Sequence, residues 1–170
     1  GSYGPFALSM ILGFVSLFLM ILTNSSNKSI MKLNIKELTL INEMSLTVGL
    51  VMLTIGNFLG GMWANESWGR YWGWDPKETW ALISIMVYAF VLHMRLIPGL
   101  KSRFVYSIAS ILSFASILMT YFGVNFYLAG LHSYAKDDQQ ISFLYSAIAL
   151  LIVVIMGVLA YPKHKKYLKN

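Results

Sequence analysis

The sequence alternates long apolar runs with short polar segments. At about 1.5 Å per residue, a helix needs about twenty apolar residues to cross the hydrocarbon core of a bilayer. Five runs come close to that length, and they lie near 3–23, 43–61, 80–97, 104–122 and 143–161. This pattern predicts an all-α, polytopic integral membrane protein built as a bundle of five transmembrane helices.

Two polar segments flank the second apolar run. In segment 29–44, SIMKLNIKELTLINEM, the apolar residues fall partly at helical spacing around lysines, which predicts an amphipathic helix along the cytoplasmic surface of the membrane. Segment 62–79 is rich in tryptophan and is predicted to be an external loop. No repeat or low-complexity tract divides the chain, so residues 1–170 are predicted to form a single membrane domain.

The positions of lysine and arginine orient the predicted bundle, because basic residues in short loops stay on the cytoplasmic side. Ten of the 13 basic residues fall on one side: Lys28, Lys32, Lys36, Arg95, Lys101, Arg103, Lys163, Lys165, Lys166 and Lys169. Arg70, Lys77 and Lys136 fall on the other side. The N-terminus is therefore predicted to be external and the C-terminus cytoplasmic. Anionic lipid headgroups account for the net charge of +6, so no nucleic-acid partner is expected.

Composition agrees with a membrane protein, since 57% of the residues are hydrophobic and 12% are charged. The chain contains no cysteine. Its residues therefore offer no disulfide framework, no cysteine metal site and no thiol nucleophile. The sequence begins without methionine and without a signal-peptide pattern, so we expect it to be the C-terminal fragment of a longer chain.

All five tryptophans lie within residues 63–80. An aromatic belt at the lipid headgroups explains Trp63 and Trp80. It does not explain Trp68, Trp72 and Trp74 together, because a belt decorates both membrane surfaces and the predicted cytoplasmic helix ends carry no tryptophan. The clustering therefore indicates a functional surface.

Glycine and basic residues accompany these indoles: Gly60, Gly61, Gly69, Gly73, Arg70 and Lys77. Glycine removes side-chain bulk, so a flat ligand can approach the backbone closely. Large aromatic rings bury a wide apolar area, and the two basic side chains can reach anionic groups at the edge of the ligand. The segment predicts a shelf for a planar, apolar ligand with acidic substituents.

The tetrapeptide DPKE at 75–78 predicts the start of the third helix. Asp75 suits the N-cap, Pro76 the first helical position and Glu78 the third position of a capping box. The tryptophans that precede Asp75 are therefore expected in a loop immediately before this helix.

Two histidines fall outside the third apolar run. His164 lies in the basic tail PKHKKYLKN and is interpreted as a solvated residue. His132 follows the fourth run, on the same predicted external side as the tryptophans. It is either a surface imidazole bonded to its loop or an axial ligand of iron.

His93 is unusual because it lies within the third apolar run. An ionisable group at membrane depth is costly and is usually functional. Helical geometry places it on one face with Leu82, Met86 and Phe90, opposite Ser84 and Tyr88. Either it forms an interhelical hydrogen bond or it binds a metal at the inner end of a pocket.

Haem is the ligand that unites these features. Its macrocycle suits an aromatic shelf, its propionates suit basic side chains, and its iron binds neutral imidazole. The sequence therefore predicts haem b as the bound substrate. The candidate ligands of its iron are then His132 and His93, each beside the structural alternative given above, and the candidate haem-binding surface is Trp63, Trp68, Arg70, Trp72, Trp74 and Trp80.

Three stretches resemble one family: GGMWANESWGRYWGWDPKETW at 60–80, LHMR at 92–95 and GVNFYLAGLHSYA at 123–135. They are similar to the tryptophan-rich (WWD) haem-handling family of cytochrome c biogenesis. Within it they resemble the CcsA part of the bacterial and plastid cytochrome c synthase, whose fused form is CcsBA.

The resemblance implies a cytochrome c synthase, or haem lyase. Such proteins take haem from the cytoplasmic side to an external site. There they promote thioether bonds to the cysteines of a CXXCH apocytochrome c. His93 corresponds to a transmembrane histidine of the family and His132 to an external one. The tryptophan-rich motif corresponds to Trp68, Trp72, Trp74 and Asp75, which are the residues predicted to carry catalysis.

The family also has a second external histidine and, in its CcsB portion, a second transmembrane histidine. Neither occurs in this sequence, so the resemblance implies CcsB as a fused or separate partner and an inactive isolated fragment. It favours a bacterial inner membrane, with the tryptophans on the periplasmic side, over a thylakoid.

Two other functions fit parts of the pattern. A transporter or channel subunit could use His93 as a proton relay and the tryptophans as a lid. A purely structural membrane subunit would leave the tryptophan cluster unexplained.

Overall fold

The computed structural model describes residues 1–127 and 143–168, and every secondary-structure element in these ranges is helical. The main helices are α1 (Tyr3–Leu22), α2 (Lys28–Trp68), α3 (Pro76–His93), α4 (Arg103–Leu118), α5 (Val124–Tyr127) and α6 (Phe143–Lys163). A 3-10 turn, Met94–Leu96, continues α3, and π-helical turns Met119–Gly123 and His164–Leu168 continue α4 and α6. Five of these helical segments are long and apolar enough to cross a membrane, which confirms the predicted all-α membrane bundle.

Helix α2 differs from the sequence prediction. It is one helix of 41 residues, about 60 Å long, so residues 29–44 are helical as predicted but continue directly into the second apolar run. No proline interrupts it, and its internal glycines adopt ordinary helical geometry. The helix ends where Gly69 adopts a left-handed conformation with φ 71°, which glycine accepts without steric cost. The predicted loop 62–79 therefore shrinks to residues 69–75.

A buried polar seam joins α1, α2 and α4. The Asn42 Nδ2 group donates to the Ser9 carbonyl at 3.2 Å and to Ser110 Oγ at 3.3 Å. Its Oδ1 accepts from the Ser9 hydroxyl. Between helices in a membrane, such hydrogen bonds satisfy groups that lipid cannot. The seam therefore fixes how these three helices face one another.

Glycine allows close packing beside this seam. A Cβ atom added to Gly13 of α1 would lie 2.7 Å from Ser110 Oγ and 2.9 Å from the Ser107 carbonyl oxygen of α4. Those distances are shorter than van der Waals contact, so only glycine permits this approach. Small residues have this role at many membrane helix interfaces.

The two faces of α3 have opposite environments. Ser84, Tyr88 and Val91 are buried, and the Tyr88 ring stacks on Phe6 of α1 with centroids 3.9 Å apart. Leu82, Met86, Phe90 and His93 lie on the exposed face. The predicted division of α3 into these two faces is confirmed.

Candidate functional site

A seven-residue turn, residues 69–75, connects α2 to α3 at the end of the bundle that we call the tryptophan end. The Lys77 N–H donates to Asp75 Oδ2 at 3.2 Å, and the Asp75 N–H donates to Glu78 Oε2 at 3.3 Å. Pro76 occupies the first helical position. The capping box predicted from DPKE is therefore confirmed, and Asp75 is 6% exposed.

Glu78 also holds the turn itself. Its Oε2 atom accepts a hydrogen bond from the Gly73 N–H at 2.8 Å. Between these two residues, Trp74 has φ 56°, a left-handed conformation that costs a bulky residue about 1–3 kcal/mol. The cap at Asp75 and the Glu78 bonds secure the backbone on either side of it. As a result, the Trp74 indole projects outward and is 72% exposed.

Four of the five indoles form two perpendicular pairs. Trp63 and Trp68, on the last turns of α2, have ring centroids 5.1 Å apart and planes at 79°. Trp72 and Trp74, in the turn, have centroids 5.8 Å apart and planes at 89°. Edge-to-face pairs of this kind are worth about 0.5–1.5 kcal/mol beyond burial. Trp80 lies on α3, where its carbonyl accepts from the Thr120 hydroxyl at 3.2 Å.

A cleft of about 330 Å³ opens beside these pairs. Trp63 and Trp72 line it, one from each pair, and Gly56 and Gly60 of α2 form part of its wall. A Cβ atom added to either of these glycines would meet nothing within 4 Å, so both face open space. The predicted approach of a ligand to glycine backbone is therefore sterically possible at Gly60.

The other predicted glycines serve the turn. A Cβ atom on Gly61 would lie 3.1 Å from the Tyr71 carbonyl oxygen, so Gly61 admits the turn backbone against α2. A Cβ atom on Gly73 would lie 2.5 Å from the guanidinium carbon of Arg70. Arg70 thus folds over the turn, whereas Lys77 lines the cleft next to Glu78.

His93 lies far from the cleft, at the other end of α3. It is exposed, and its Nδ1 atom is 2.7 Å from the Ala89 carbonyl oxygen. A carbonyl can only accept, so Nδ1 donates this hydrogen bond, and in the neutral ring Nε2 has the free lone pair. Metal-binding histidines commonly have this arrangement, with one nitrogen bonded to a carbonyl and the other available.

The predictions for the other two histidines compare differently with the structure. His132 lies outside the described residues. His164 was predicted to be solvated, but its ring stacks on Phe104 with centroids 5.6 Å apart. Its Nε2 atom lies 3.1 Å from Ser102 Oγ. That prediction is wrong, because α6 packs antiparallel to α4 and brings the tail against the start of α4.

Residues 2–132 match the protein family described as Cytochrome C assembly protein. The chain belongs to this family. The matched range contains all five tryptophans, His93 and His132, and the family resemblance inferred from the sequence is confirmed. The chain is therefore an integral membrane protein of cytochrome c biogenesis.

Several curated relatives are similar to this chain, and some of them are named for cytochrome c biogenesis. Protein NrfI of Wolinella succinogenes is 50% identical over 169 residues, which cover 99% of this chain and 18% of that protein. Cytochrome c biogenesis protein CcsA of Prochlorococcus marinus is 50% identical over 99 residues, which cover 58% of this chain and 32% of that protein. CcsA of a Synechococcus strain is 46% identical over 99 residues, with the same two coverages. The chain thus spans about a fifth to a third of the length of these family members.

Some residues that line the cleft were not predicted from the sequence. Tyr3 of α1 and Thr120 of the π-helical turn after α4 both line the cleft. They lie at least 40 residues from any of the tryptophans along the chain, so no local pattern marks them. Tyr71 also lines the cleft, and its place among the tryptophans in the sequence could have identified it.

Proposed function

We propose that the chain is the haem-handling part of a cytochrome c synthase. It carries haem b across the membrane and presents it at the tryptophan end for attachment to a CXXCH apocytochrome c. The observation that carries this proposal is the cleft, where an indole from each perpendicular pair stands beside exposed glycine backbone. Family membership supports the process, and the cleft supports the ligand.

The shape and charge of the cleft suit one edge of a haem. Its volume of about 330 Å³ is at the lower limit of pockets that enclose drug-sized ligands. A macrocycle seated edgewise would therefore leave part of its rim exposed to a second substrate. Lys77 lies at the cleft and Arg70 beside it, where each can pair with a propionate.

The reaction needs positioning more than acid–base chemistry. Each thioether forms when a cysteine S–H adds across a vinyl double bond of haem. The sulfur bonds to one vinyl carbon and hydrogen to the other, so no external oxidant or reductant is required. Both thiols are those of the CXXCH motif of the apocytochrome, which fits a chain without cysteine. Holding two thiols against two vinyl groups supplies the main acceleration.

The predicted motif residues then have distinct roles. Trp72 lines the cleft for the macrocycle, Trp74 and Trp68 support its two indoles through the edge-to-face pairs, and the Asp75 cap holds the turn that carries Trp72 and Trp74. His132 is proposed as one axial ligand at the external site. We propose that the second axial histidine lies in the part of the protein that corresponds to the relatives' length beyond this chain. The histidine of the apocytochrome would then replace one of these two ligands.

His93 is proposed as an iron ligand during transfer from the cytoplasmic side. Its protonated Nδ1 leaves Nε2 available, and Met86 and Phe90 extend an exposed apolar surface from it. We propose that a CcsB portion, fused or separate, packs against this face and supplies the second transmembrane histidine. The membrane would be a bacterial inner membrane, with the tryptophan end on the periplasmic side.

The test uses the full-length protein, purified with its haem. We expect a Soret band that weakens in His132→Ala and is partly restored by added imidazole, which replaces the missing ligand. The control is His164→Ala, which removes a histidine that packs on Phe104 at the opposite end of the bundle. A full-length protein that stays colourless when supplied with haem would overturn the proposal.

A further inference from the structure

A second pocket lies at the end of the bundle opposite the cleft. It has a volume of about 210 Å³ and is formed by α2, the 3-10 turn after α3 and the start of α4. Six of its lining residues carry charges or a phenol: Lys36, Glu43, Arg95, Lys101, Arg103 and Tyr106. We call it the basic pocket.

Its electrostatic field is strongly positive. Arg95 Nη1 pairs with Glu43 Oε2 at 2.9 Å, which neutralises one cation. Lys36, Lys101 and Arg103 form no ion pair within residues 1–127 and 143–168. Three positive charges thus converge on one small concavity, which favours an anion.

A buried hydrogen-bond donor points to the same chemistry. Tyr106 is 6% exposed, and its hydroxyl has no hydrogen-bond partner among the described residues. A buried hydroxyl without a partner costs about 1–3 kcal/mol. An anionic oxygen in the basic pocket, which Tyr106 lines, would satisfy it. The pocket therefore has both the charge and the donor of an anion site.

The surroundings suit an amphiphile rather than a free ion. Leu40 lines the pocket and is about half exposed, and Leu96 and Ile97 are exposed beside Arg95. These side chains offer apolar surface for an acyl chain next to the cationic concavity. The pocket volume of about 210 Å³ is below the range for drug-sized ligands, about 300–1,000 Å³, so it suits a headgroup and not a whole macrocycle.

We propose that the basic pocket binds the phosphate of an acidic phospholipid. Lys36, Lys101 and Arg103 pair with the phosphate, the Tyr106 hydroxyl donates to one of its oxygens, and the acyl chains lie along Leu40 and Ile97. Basic pockets between transmembrane helices on the cytoplasmic side recognise such headgroups. This site is separate from the haem cleft and does not depend on the proposed synthase function.

The experiment titrates the detergent-solubilised, full-length protein with dioctanoyl phosphatidylglycerol and follows binding by native mass spectrometry. We expect tighter binding than for dioctanoyl phosphatidylcholine, whose choline group is repelled by the pocket. Lys36→Gln should weaken binding about fivefold, the effect of one basic residue near an acidic headgroup. Tyr106→Phe should weaken it about tenfold, the effect of one hydrogen bond to a charged group.

Each variant has a matched control. Lys28→Gln removes the same charge from an exposed position on α2, and Tyr145→Phe removes a hydroxyl from an exposed position on α6. Neither residue lines the basic pocket, so both controls should bind the lipid like the unmodified protein. If Lys36→Gln and Lys28→Gln weaken binding equally, the proposal is overturned, since the effect would be one of total charge.

Two further arms separate the possible sources of the anion. A large excess of inorganic phosphate should displace little phosphatidylglycerol, and equal competition would show a free-anion site instead. Haem content, measured by its Soret band, should be the same in Lys36→Gln and Tyr106→Phe as in the unmodified protein. Parallel loss of haem would assign the pocket to haem carboxylates and overturn the lipid assignment.

Discussion

Glu78 reaches back from the first turn of α3 and holds Gly73 in the preceding turn. The Glu78 Oε2 atom accepts from the Gly73 N–H at 2.8 Å. One carboxylate thereby both caps the helix and closes the tryptophan-bearing turn onto it. The positions of Trp72 and Trp74 consequently depend on the Glu78 side chain.

Replacing this carboxylate should loosen the turn. Glu78→Ala is expected to destabilise the full-length protein by about 0.5–2 kcal/mol, the usual cost of a lost cap, and to lower external haem binding. Glu66→Ala is the control, because it removes an exposed carboxylate from the last turns of α2. Thermal unfolding and the Soret band measure the two effects. Equal haem loss in both variants would contradict a specific role for Glu78.

An indole that lines the cleft should contribute more to haem binding than an exposed ring elsewhere. Trp72→Ala removes a side chain whose burial against haem is worth about 1.5–3 kcal/mol, so haem affinity should fall roughly tenfold to hundredfold. Trp72→Phe should retain part of the haem affinity. Phe58→Ala, at an exposed site of α2 outside the cleft, should leave haem affinity unchanged. Haem titration of the apo full-length protein distinguishes the variants.

His93 separates the synthase from a transporter that relays protons. If His93 ligates iron, His93→Ala should shift or weaken the Soret band, and imidazole should restore it, because the exposed Nε2 atom is the predicted ligand. A proton relay instead predicts an unchanged spectrum and altered proton flux in vesicles. Met86→Ala tests the neighbouring exposed surface without removing a possible ligand, and its spectrum should be normal.

The packing of α1 on α4 can be tested with two glycines of one helix. Gly13→Ala places a Cβ atom 2.9 Å from the Ser107 carbonyl oxygen, and such overpacking costs about 1–3 kcal/mol. A Cβ atom on Gly4 meets nothing within 4 Å, so Gly4→Ala should be neutral or stabilising by up to about 1 kcal/mol. Thermal unfolding in detergent measures both. Equal melting temperatures would contradict the tight α1–α4 contact.

Several features followed from the sequence because they depend on local interactions. Hydropathy marks membrane crossings, so the apolar runs coincided with helices. The start of α3 was set by adjacent residues, since Asp75, Pro76 and Glu78 form their cap within four positions. The full length of α2 was harder to predict from the sequence, because a drop in hydropathy marks the membrane surface rather than the end of a helix. The extension of α2 through both flanking segments was therefore missed.

Tertiary structure alone decided what lies together across the bundle. Tyr3 and Thr120 join the tryptophans at the cleft, and Lys36 meets Arg103 at the basic pocket. These pairings connect residues far apart in the chain, so no periodicity of one helix encodes them. They arise because Gly13 and Asn42 fix how α1, α2 and α4 face one another. The sequence determined which residue types are available, and helix packing determined which of them share a site.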